Sequence, residues 1–117
     1  MAKNRAFEEG RKLSVACTAP TTPATGDPVL IGQIPGVALT DERTDGTTTV
    51  DTAGVYRLSV KGIDGGGNSA VAVGDIIYYV AGDTPPLSKK ATGVRFGYAL
   101  EGVASGGTAT IMVKIGY

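Results

Sequence analysis

The chain writes one phrase twice. GDPVLIG at residues 26–32 leads into GVALTD at 36–41, and GDIIYYV at 74–80 leads into GYALEGV at 97–103. Each copy joins Gly-Asp and an apolar segment to Gly-x-Ala-Leu. A catalytic constellation seldom needs a duplicate, whereas a β scaffold built from two similar halves does. In each Gly-Asp the glycine accepts positive φ and the aspartate bonds nearby backbone amides, which makes a turn. A glycine ahead of x-Ala-Leu lets two backbones approach closely or forms a bulge. Half one is read as GDPVLIG, GVALTD and TTTVDTAGVYRLSVKG. Half two is read as GDIIYYV, GYALEGV and TATIMVKIGY. Gly26 and Gly36 are closer in sequence than Gly74 and Gly97. The second half therefore carries an insertion, the Pro85-Pro86 loop with Lys89 and Lys90.

The rest of the chain reads as short strands and turns. Leu13, Val15 and Cys17 alternate with small polar or apolar residues, which predicts a strand. TAPTTPATGDP (18–28) carries three prolines and reads as a loop or an edge segment. VLIGQI (29–34) is a buried strand, with GVALTD its continuation past a Gly/Pro break. Asp45-Gly46 marks a tight turn. In VYRLSVK, Tyr56, Leu58 and Val60 share the core face. DGGGNS (64–69) is a turn, and AVAVGDIIYYVAG gives a strand, the Gly74-Asp75 turn and a second strand. FGYALEGVAS and TATIMVKIGY are the closing strands. No stretch supports a long amphipathic helix. The expected fold is all-β: a compact small barrel or sandwich of two related halves forming a single β domain over 13–117. Residues 1–12 are polar and aperiodic and read as an extended N-terminal arm.

Composition removes several function classes. Eleven basic and eleven acidic residues cancel, which argues against a nucleic-acid binder, because that affinity comes mainly from neutralising phosphates. There is no histidine, and Cys17 is the one cysteine. No Cys/His zinc site or internal disulfide can form, and Cys17 reads as a small buried residue, not a reactive thiol. The aspartates stand beside Gly, Thr or Pro, where Asp forms turns, and DERTDGTTTVD lacks the spacing of a calcium-binding EF-hand loop. No phosphate loop is present, and no serine sits in a nucleophile elbow. No enzyme, cofactor or metal is expected. No apolar run approaches the roughly 20 residues that span a bilayer. MAKNRAFEEG has no hydrophobic signal region, so synthesis in the cytoplasm is expected.

Two sets of residues are candidates for protein contact. Lys3, Arg5, Phe7, Arg11 and Lys12 make the N-terminal arm a docking candidate. Tyr78 and Tyr79 are adjacent on a strand and so point to opposite faces. One belongs in the core and the other at the surface or in an interface, and with Pro85 and Pro86 they form a candidate oligomer contact.

The ordered set MAKNRAFEEG, TGDPVLIG, GVALTD, TTTVDTAGVYRLSVKG, NSAVAVGDIIYY, LSKKATGVRFGYALEGV and GGTATIMVKIGY resembles a family of small tailed-phage proteins, DUF2190 or capsid cement (decoration) proteins. It covers nearly the whole chain, and the segment 18–25 departs from it. The resemblance implies a structural role on the virion: binding the outer face of the assembled head, with the major capsid protein as partner, as a homotrimer, and without nucleic acid or membrane. The alternative from the residues themselves is a free-standing β-barrel module of a tail or fibre that binds carbohydrate or protein. The absence of tryptophan counts against sugar binding, since sugar-binding faces usually present exposed Trp or Tyr pairs.

Overall fold

The computed structural model describes residues 12–20 and 22–116. In chain order the strands are β1 (Lys12–Val15), β2 (Pro28–Ile31), β3 (Ile34–Ala38), β4 (Thr48–Asp51), β5 (Gly54–Lys61), β6 (Ile63–Asp64), β7 (Gly67–Asn68), β8 (Ile76–Tyr79), β9 (Leu87–Ser88), β10 (Val94–Ala99) and β11 (Thr108–Ile115). No helix occurs among the described residues. The fold is all-β. One sheet has the order β1-β4-β3-β2. The second, β5-β11-β10-β8, is closed into a barrel by β9, and β6-β7 is a small hairpin.

The two sheets are built alike, strand for strand. Gly26 N–H donates to the Ala38 carbonyl at 2.8 Å, and Gly74 N–H donates to that of Ala99 at 2.7 Å. Ala38 N–H returns a bond to Asp27 O, and Ala99 N–H to Asp75 O, both at 2.9 Å. The Asp27 carboxylate accepts from Ala24 N–H at 3.0 Å, and that of Asp75 from Ala72 N–H at 2.8 Å. Gly26 and Gly74 have φ of 87° and 91°, conformations that L side chains rarely adopt. Further along, Leu39 N–H bonds Thr49 O and Leu100 N–H bonds Met112 O. Gly36 and Gly97 hold matching places, each where a neighbouring strand crosses closely. A Cβ on Gly97 would stand 2.0 Å from the Lys114 carbonyl oxygen, and one on Gly36 would stand 2.4 Å from Val50 Cγ1.

The boundaries of the halves differ from the sequence expectation. Residues 54–61 belong to the second unit, where β5 pairs with β11 along its whole length, in the place that β1 takes beside β4. KLSV in β1 is echoed by RLSV in β5. Through the pairing, however, Leu13 corresponds to Tyr56, two residues off the echo, so the inward-facing set is preserved. VLIGQI and GVALTD are not one interrupted strand. Gly32 and Gln33 turn the chain back, and β2 and β3 form an antiparallel hairpin. Residues 70–73 make no strand beyond the single bridge of Val71 to Val103. Lys12, placed in the arm by sequence, is the first residue of β1.

The insertion supplies the closing strand. Residues 80–93 separate β8 from β10 and contain β9, which runs parallel to β5 and antiparallel to β8. Leu87 is 0% exposed. In the first half Ala19 makes an isolated bridge to Leu30, the counterpart of the Ser88–Tyr78 pair, so the segment after β1 curls back to cover β2. The main core fills the barrel with Leu58, Val60, Ile77, Tyr79, Phe96 and Val113 and extends to Leu30 and Val37 of the first sheet. Val29, Ala38 and Val50 form a smaller core, with Cys17 and Ile31 against it. Burial pushes the Cys17 thiol pKa up, which suits a packed and unreactive side chain. Asp51 is buried at the junction of the halves, where it accepts from Tyr56 Oη and from Ala53 N–H.

Candidate docking surface

The loops leave two adjoining hollows, the larger where the two halves meet and the smaller within the second half. The larger, about 470 Å³, is lined by Thr18, Ala19, Pro20, Asp27, Pro28, Tyr79, Ala81, Gly82, Asp83 and Pro86. The smaller, about 230 Å³, is lined by Lys61, Ile63, Gly82, Asp83, Thr84, Pro85 and Lys90. They share Gly82 and Asp83. Local chemistry positions each wall: the Gly26-Asp27 turn starts β2, the proline segment 18–20 follows the bend out of β1, and the insertion brings Pro85 and Pro86 against the barrel mouth. The Ala19–Pro20 and Thr84–Pro85 peptide bonds, on opposite walls, are both cis.

The charges in the hollows are ordered. Lys90 Nζ pairs with Asp83 at 2.9 Å. Tyr79 is 5% exposed and stacks on Phe96 with ring centroids 6.3 Å apart. Burial first, then the nearby charge of Asp27, raises the Tyr79 phenol above its ordinary pKa, so it stays neutral. Behind the insertion, Lys89 Nζ donates to Ser69 Oγ at 3.1 Å and to Ala70 O at 2.9 Å and lies 3.4 Å from Asp75. Asp75 is held below the usual carboxylate range, chiefly by the Ala72 N–H and then by Lys89. On the outer face of the barrel, Arg95 and Lys114 both lie against the Tyr98 ring.

Of the residues singled out by sequence, Tyr79 and Pro86 line the larger hollow and Pro85 the smaller. Tyr78 is half-buried and lines neither. Of the tyrosine pair, Tyr79 is the core member. Lys12 is exposed at the start of β1, and Lys3, Arg5, Phe7 and Arg11 lie outside the described residues. Asp27, Lys61 and Lys90 are not singled out as contact residues by the sequence reading. Asp27 carries the same turn signal as Asp75 but faces a hollow, and the two lysines converge only through the β5–β9 pairing. Among the described residues no three His, Cys, Asp or Glu side chains are grouped to hold a metal, and no helix is long and apolar enough to cross a membrane. The surface offers shape and charge for adhesion.

A family model described as phage cement protein matches residues 7–115. No curated protein and no solved structure matches the chain. The family match runs from Phe7 through β11 and takes in both halves and the insertion. The chain belongs to the phage cement protein family, and its role is a structural one in the phage capsid.

Proposed function

We propose that the protein binds the outer surface of the assembled head and stabilises contacts between major capsid subunits, without catalysis. The observation that carries this reading is the family match over residues 7–115. A body of two β units joined through a shared core supports it: a strap needs several separated contact points, and a small contact per copy suffices on a lattice of many copies. The protein is made in the host cytoplasm and acts as a homotrimer where three capsid subunits meet. The arm, residues 1–11, together with Lys12 at the start of β1, contributes to docking. Tyr79, packed against Phe96, is no sugar-stacking platform, which counts against a carbohydrate module.

Mixing the purified protein with empty expanded heads of its phage and sedimenting them tests the proposal. Saturable co-sedimentation, with heads that resist heat better than bare ones, is the expected result. Protein that stays in the supernatant at every concentration would overturn it.

A further inference from the structure

We propose that the larger hollow, where the two halves meet, receives a basic side chain, lysine or arginine, of a capsid subunit, with Asp27 as its counter-charge. The partner rests on the reading above, while the preference for a cation rests on the hollow itself. Its lining holds two carboxylates, Asp27 and Asp83, and no lysine or arginine. Asp83 is already paired with Lys90. Asp27 accepts from Ala24 N–H and makes no ion pair among the described residues. The duplication identifies the counter-charge. Asp75 is the twin of Asp27, and Lys89 Nζ stands 3.4 Å from it. That lysine comes with the insertion, for which the first half has only Gly32 and Gln33. The two Gly-Asp turns are otherwise bonded alike, so the same carboxylate meets a cation in one half and lines a hollow in the other.

Tyr79 points to the same occupant independently. It is 5% exposed, lines the same hollow, and its hydroxyl makes no hydrogen bond to a described residue. A buried phenol usually finds a partner. The oxygen is not sealed within the core, so a donor reaches it through the hollow. The fold itself does not call for a hydroxyl there, because the twin of Tyr79 in the first half is Ile31. After burial, the charge of Asp27 is what raises the Tyr79 phenol, so the two groups are neighbours. An ammonium or guanidinium can donate to the Asp27 carboxylate and to Tyr79 Oη, while its stem lies along Ala19, Pro28 and Pro86, as long basic side chains bury their stems. A neutral apolar occupant would strip water from Asp27 and return nothing. An anion would face two carboxylates.

The test has two arms. In the first, the full chain is titrated with Nα-acetyl-arginine amide, Nα-acetyl-lysine amide and the uncharged Nα-acetyl-citrulline amide, and backbone amide NMR shifts are followed. Saturable shifts at Asp27 and Gly82 with a cationic compound, and none with citrulline, are expected, and the stronger of the two cations names the side chain. Asp27→Asn keeps an oxygen for Ala24 N–H and should weaken that binding about tenfold, and Tyr79→Phe about fivefold. In the second arm, sedimentation with heads should show Asp27→Asn binding about tenfold more weakly. Asp45→Asn, which removes an exposed carboxylate elsewhere, should bind as the parent does. Equal shifts with citrulline, no shift with either cation, or head binding untouched by Asp27→Asn would overturn the inference. Shifts at the same amides on merely concentrating the free protein would place a second copy in the hollow and overturn the capsid partner. If heads take up no protein while a cationic compound binds, the capsid reading fails and the hollow's preference for a cation stands.

Discussion

At Gly97 a single methyl group tests the duplication. The added Cβ of Gly97→Ala would meet the Lys114 carbonyl oxygen at 2.0 Å, a backbone atom that cannot move aside without parting β10 from β11. A loss of about 3 kcal/mol is expected from the urea midpoint. At Gly36 the added Cβ would meet a Val50 methyl at 2.4 Å and the Asp51 carbonyl oxygen at 2.9 Å; the backbone clash is milder than at Gly97, so Gly36→Ala is expected to cost less, about 2 kcal/mol. Both positions are legible in sequence because a glycine repeated ahead of Ala-Leu has one economical explanation, the close crossing of strands. The Gly-Asp turns are legible for the same reason, since their chemistry is complete within a few residues. Asp75 carries a pH prediction. Its folded pKa lies below the ordinary carboxylate value, so in acid the folded state binds fewer protons than the unfolded. Its stabilisation is present above about pH 4 and fades as pH falls through the folded pKa. Asp75→Asn should flatten that part of the acid limb in urea melts taken between about pH 4 and 2.

Closure of the second half depends on β9, the shortest strand of the barrel. Leu87 is wholly buried between β5 and β8. Leu87→Ala should cost about 3 kcal/mol, and amide exchange should speed up first along the edges of β5 and β8 that face β9. Uniform acceleration across both halves would instead mean that the molecule opens as one unit. Sequence reading locates the insertion but not its strand. Two residues that pair parallel on one side and antiparallel on the other leave no alternation to detect, since the pairing is entirely long-range. The β2–β3 hairpin is missed for a related reason. VLIGQIPGVAL is apolar nearly throughout, because both strands are buried on both faces at several positions, and only Gly32-Gln33 marks the reversal.

On the scale of the whole molecule, the proposed docking role of the N-terminal residues makes a prediction. Deleting residues 2–10 should leave the thermal transition of the body within a few degrees and weaken head binding, read by sedimentation with heads. Unchanged binding would remove the arm from the mechanism. The class of function is legible from what the chain lacks and from the ordered set of segments that resembles the family. The larger hollow is not, because Asp27 and Tyr79 are far apart in sequence and only the apposition of the two units brings them together.

The duplication also supplies an internal experiment on loop length. In one half two residues, Gly32 and Gln33, connect the paired strands, while in the other the same connection spans residues 80–93. The molecule thus displays, on its own twin, what this connection can carry. A foreign peptide of similar length grafted between Gly32 and Gln33 should leave the melting temperature within a few degrees of the parent, because lengthening a surface loop costs little closure entropy. If many copies coat the head, as proposed above, that peptide would be displayed as a dense array, and the short hairpin, the plainest turn in the fold, becomes its natural attachment point for cargo.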